Sequence, residues 1–175
     1  MNIINADKSA AAIRLKEATL CIAISVIFPF AVHIMPWYSD IPLGAYLVPM
    51  FYAPVIALIM FNRNTALITS IFSPLINWII TGHPVLENVS VITLQLVMFT
   101  FILSFLLNKK IRSWAAPISY LIVVFILAIF FNLPVKSQFF AKAAEFITVK
   151  LRVSFTGIVV LSLLNGYLSK LRGKF

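Results

Sequence analysis

Five polar residues, Asn77, His83, Glu87, Asn88 and Gln95, gather around a single break in an otherwise apolar stretch of this chain. Ser73, Asn77 and Thr81 follow one another at spacing four, and Asn88 and Gln95 at spacing seven, so each set occupies one face of a helix. With one helix leaving at Gly82 and the next entering at Asn88, Asn77 lies about 7 Å and Gln95 about 10 Å in from the same end. Two amides at one depth on consecutive helices can form the floor of a pocket with His83 and Glu87 at its rim. They can equally bond helix to helix for ~0.6 kcal/mol or a little more. Both readings stand at this level.

Other candidates lie on the same side. Trp37 and Tyr38 fall in a loop that could fold over a ligand and stack on it, while Lys136, Lys150 and Arg152 could draw an anionic group or simply snorkel. No nucleotide-binding loop, metalloprotease helix, serine elbow or pair of acids occurs, so no enzyme activity and no cofactor are expected. The single cysteine, Cys21, excludes an internal disulfide, and it has no partners in sequence for a metal site.

The elements that must position these residues follow from composition. The chain has 175 residues, is 62% hydrophobic and only 11% charged, with a mean hydropathy of +1.03, far outside the range of soluble domains. Its charges bound six uncharged windows of 17 to 23 residues, against the ~20 residues that span a bilayer as helix. Exposed polar backbone is too costly in hydrocarbon for anything but helix, and the alternating pattern of a barrel is missing. The expected fold is an all-α polytopic membrane protein, one domain over 1–175. Its six transmembrane helices fall near 18–36, 43–61, 65–82, 89–107, 114–132 and 152–169. The 133–151 segment should be an outer loop carrying an amphipathic stretch, since Phe139, Ala143 and Phe146 recur at helical spacing. It could lie as an interfacial helix or extend the last one.

With the amino terminus inside, ten of the fourteen lysines and arginines fall on the inner side, which places both termini in the cytoplasm. The net charge of +9 is then explained by orientation and contact with the lipid bilayer, and no nucleic acid is needed.

The run Ser73-Pro74-Leu75 followed by Thr81-Gly82-His83-Pro84, preceded by "LVPMFYAPVIALIMF", resembles helices 2 and 3 of the substrate-binding S-components of energy-coupling factor (ECF) transporters. The resemblance covers roughly residues 42 to 107. It implies a capture subunit of the bacterial cytoplasmic membrane that binds a small water-soluble, vitamin-like compound from outside, beneath its outer loops. It also implies partners, a membrane coupling protein (T-component) and two ABC ATPases. Helices 1 to 3 would dock on the coupling protein, and on helix 1 Thr19, Ala23, Cys21 and Ser25 offer small faces for close approach. A structural membrane scaffold of the rod-shape-determinant (MreD) type and a small solute facilitator are the alternatives.

Overall fold

A computed structural model describes residues 3–35, 41, 43–109, 111–132 and 139–172. The described residues are almost wholly helical: α1 (Ile3–His33), α2 (Leu43–Leu47), α3 (Tyr52–Ile56), α4 (Arg63–Thr81), α5 (Leu86–Leu106), α6 (Ala115–Asn132) and α7 (Phe139–Arg172). A short 3₁₀ turn over Pro49–Phe51 joins α2 to α3, a π-helical turn over Ala57–Phe61 follows α3, and a 3₁₀ turn over Arg112–Trp114 leads into α6. Four segments are long and apolar enough to cross a membrane: Leu15–Val32, Leu86–Leu106, Arg112–Phe131 and Phe140–Leu171.

Three boundaries differ from those expected. The first helix starts at Ile3 rather than near 18, because Ala10, Ala11, Ala12, Leu15 and Lys16 all favour helix and nothing there breaks it. Residues 139–151, placed in the outer loop as an interfacial helix or an extension of the last one, take the second form, as the first turns of one continuous 34-residue α7. The helix expected over 43–61 is broken at Val48, which takes a left-handed conformation (φ 46°, ψ 48°) immediately before Pro49. Proline disfavours the right-handed helical region for the residue ahead of it, which accounts for the break. The Tyr52 hydroxyl donates to the Leu47 carbonyl oxygen freed there.

Two other prolines are answered from a neighbouring helix. Pro29 in α1 has no N–H to give the Ser25 carbonyl four residues back, and Asn77 Nδ2 of α4 donates to that oxygen at 2.8 Å. Pro117 in α6 likewise deprives the Ser113 carbonyl, and Asn165 Nδ2 of α7 donates to it at 2.6 Å and to the Arg112 carbonyl at 2.9 Å. Both asparagines are fully buried.

α4 is polar inside and apolar outside. Thr65, Thr69, Ser70, Ser73 and Asn77 are buried, while Ile68, Ile71, Phe72, Leu75, Ile79 and Ile80 are exposed. The hydroxyls of Thr69, Ser70 and Ser73 donate to carbonyl oxygens one turn back, at 2.8, 2.8 and 2.5 Å, so these three are satisfied within the helix. Small side chains on that face let α4 pack between α1 and α5. At its start Asn62 accepts from the Thr65 N–H (2.9 Å) and donates to Glu17 of α1 (3.0 Å).

α2 lies against α7, and the approach is possible because residue 157 is glycine. A Cβ there would sit 2.7 Å from the Leu47 backbone carbon and oxygen and 2.5 Å from Val48 Cγ2. Gly157→Ala is therefore expected to force α2 away from α7 and destabilise the fold by about 1–3 kcal/mol. Thermal unfolding in detergent checks this, and an unchanged midpoint would mean that the two helices do not meet at that depth.

Candidate functional site

The site begins with the turn between α4 and α5. Gly82 ends α4 in the left-handed conformation (φ 71°), its N–H donating to the Trp78 carbonyl oxygen at 2.9 Å, the usual role of glycine past a helix terminus. The Thr81 hydroxyl donates to the Asn77 carbonyl oxygen (2.7 Å) and accepts from the His83 N–H (3.2 Å), which fixes the direction in which the chain leaves. Pro84 and Val85 then carry it to the first turn of α5, where exposed Glu87 faces the positive end of the helix dipole.

Between this turn, the broken 43–61 helix, the end of α1 and the early part of α7 lies a hollow of about 380 Å³. His83, Asn88, Gln95 and Lys150, all singled out in the sequence, line it together. The apolar wall comes from Val48, Pro49, Met50, Phe51, Pro84 and Ile92, with Gly44 and Ala45 giving room. Phe51 is held edge-on by two rings, Phe99 (5.1 Å, 88°) and Tyr120 (5.1 Å, 83°), so its position in the wall is rigid.

Other candidates fall elsewhere. Of the two roles open to Asn77, pocket floor or helix-to-helix bond, it takes the second: it is not among the described wall residues and faces α1 in the interhelical bond described above, also donating to the Ser73 carbonyl oxygen (2.9 Å). Glu87 and Arg152 are exposed and line no part of the hollow. Arg152 stands two residues beyond Lys150, about 200° further round the helix. Of the docking residues on α1, Cys21 and Ser25 are completely buried, where a partner protein cannot touch them, and Thr19 and Ala23 are exposed. Trp37, Tyr38 and Lys136 lie outside the described residues.

Most of the described wall residues not foreseen belong to the 44–51 break, with Pro29, Pro84, Val85 and Ile92 beside them. The signal for that break was Gly44 and Pro49 within one apolar window, which mark a helix that cannot run straight. Chemically the described lining of the hollow offers apolar surface, two amides, an imidazole and one ammonium, a mixture typical of small-molecule sites. Among the described residues no three His, Cys, Asp or Glu side chains gather as a metal site would require. No family model, curated protein or solved structure matches the chain.

The two amides should separate cleanly. Asn77→Ala removes the donor to the Ser25 carbonyl and is expected to lower stability by about 1–3 kcal/mol without altering occupancy of the hollow. Gln95→Ala should leave stability nearly unchanged and weaken retention of a small molecule. Thermal unfolding and ligand retention measured on both variants check this, and equal loss of retention in the two would return Asn77 to the site.

Proposed function

We propose that this chain is a membrane-embedded capture subunit of the ECF S-component type. It binds a small water-soluble compound in the hollow, and an ATP-driven partner module reorients it for delivery. The hollow is the observation that carries the reading. At about 380 Å³ it falls in the size range of small-molecule sites, and it brings four of the polar residues picked out beforehand onto one wall.

In this reading the four long apolar segments are joined in the bilayer by α4 and by the broken 43–61 helix, giving six crossings. The buried polar and exposed apolar faces of α4 suit lipid surroundings and would suit water badly. The excess of basic residues on one side supports an orientation with both termini in the cytoplasm, and the capture reading sets the chain in a bacterial cytoplasmic membrane. The end of the bundle bearing His83 then faces outward, and the hollow is filled from the medium. The exposed face of α1 with Thr19 and Ala23 remains available to a membrane coupling protein.

Native mass spectrometry of the detergent-purified chain tests the proposal. A retained small molecule, released on unfolding, is the expected result. A bare chain after exposure to cell extract would contradict it, and solute flux through liposomes holding the chain alone would assign it to facilitated transport instead.

A further inference from the structure

The capture reading leaves the ligand's chemistry open, and two independent features of the hollow narrow it. Among the described residues Lys150 is the only lysine or arginine in the wall, and none of them there is an aspartate or glutamate. Among the described residues no carboxylate pairs with it. An ammonium set in an apolar wall without a counter-charge is costly, and a bound anion supplies what the chain does not.

The second feature is a much smaller hollow of about 10 Å³, whose wall, among the described residues, shares Phe51, Gln95 and Lys150 with the large one and is otherwise apolar apart from Tyr120. The Tyr120 hydroxyl is buried beside that of Ser154, which donates to the Lys150 carbonyl oxygen at 2.7 Å. Lys150 and Gln95 are thus the polar residues common to both walls. Outward from these two the wall is apolar, with the fixed ring of Phe51 flanked by Val48, Pro49 and Ile92.

We propose that the ligand is a small monocarboxylate with an apolar, ring-bearing body. Its carboxylate sits on Lys150 and Gln95, and its ring lies against Phe51. One cation among the described wall residues favours a single negative charge, and a charge-assisted bond to lysine is the strongest contact the site can make. This inference rests on the capture reading and names the ligand class of that same site.

The test is the thermal shift of the detergent-purified full chain with matched acid, amide and amine at constant ionic strength. The sets are benzoate, benzamide and benzylamine, and indole-3-acetate, indole-3-acetamide and tryptamine, each at millimolar concentration. The carboxylates should raise the unfolding temperature while their amides and amines do not. Lys150→Gln should weaken carboxylate binding at least about tenfold. Shifts with amides or amines equal to those with the acids, or undiminished in Lys150→Gln, overturn the ligand class and leave capture standing. No shift with either carboxylate also overturns it; if the chain is in addition bare in native mass spectrometry, the capture reading falls with it.

Discussion

A backbone carbonyl that loses its donor inside an apolar medium must find another, because leaving it bare costs on the order of several kcal/mol. That constraint organises this bundle. Prolines interrupt α1 at 29 and α4 at 74, and residues 49, 54 and 117 add three more within helical segments. Where a neighbouring helix can supply an amide, as Asn77 does for Ser25 and Asn165 for Ser113, the bent helix is tied to its neighbour. In both asparagines the side-chain oxygen has no partner, so it is the NH₂ group that the fold uses. Where the chain breaks altogether, at Val48 and Pro49, the Tyr52 hydroxyl answers the freed Leu47 carbonyl. Proline residues 29, 49 and 84 border the hollow, so the devices that bend these helices also keep them from closing on one another.

The polar interior of α4 belongs to the same logic. In lipid the apolar side chains gain little by turning inward, and helix association depends on close packing and local hydrogen bonds. Serine and threonine fit that need, since their hydroxyls return to carbonyls one turn back and leave a thin face. The Ser70 and Thr100 hydroxyls, 2.7 Å apart, show how closely α4 and α5 approach. A rigid pair of helices beneath the Thr81-Gly82-His83-Pro84 turn gives the hollow a fixed wall. α2, pressed onto α7 at Gly157, gives the opposite one. The proposed capture role needs no further element: a fixed apolar recess with a few polar groups can take up a solute.

Much of this was legible in the sequence, and the exceptions have a common cause. Charge-bounded apolar windows announce helices, and a glycine after a threonine at a helix end announces a turn, so His83, Asn88 and Gln95 could be brought to one place from spacing alone. Rotation about a helix axis could not. Asn77 and Gln95 share a depth, yet one faces α1 and the other the hollow. Lys150 and Arg152 look equivalent where the loop expected over 133–151 meets the last helix, and become opposite once α7 runs through both. Cys21 and Ser25 resemble a docking stripe until α4 is seen to cover them. The break at Val48 was hidden for another reason: proline marks where a helix is weakened, while whether it bends or breaks depends on what packs beside it.

The central claim is that the recess between the 44–51 break, the α4–α5 turn and α7 is where a solute sits. Filling it tests that most directly. Ala45 lines the recess and is half-buried, so Ala45→Phe places a ring in the space a guest would occupy. The account predicts a chain that unfolds at the same temperature or higher and retains no small molecule in native mass spectrometry. A well-folded Ala45→Phe chain that still carries the guest found on the unmodified protein would contradict it.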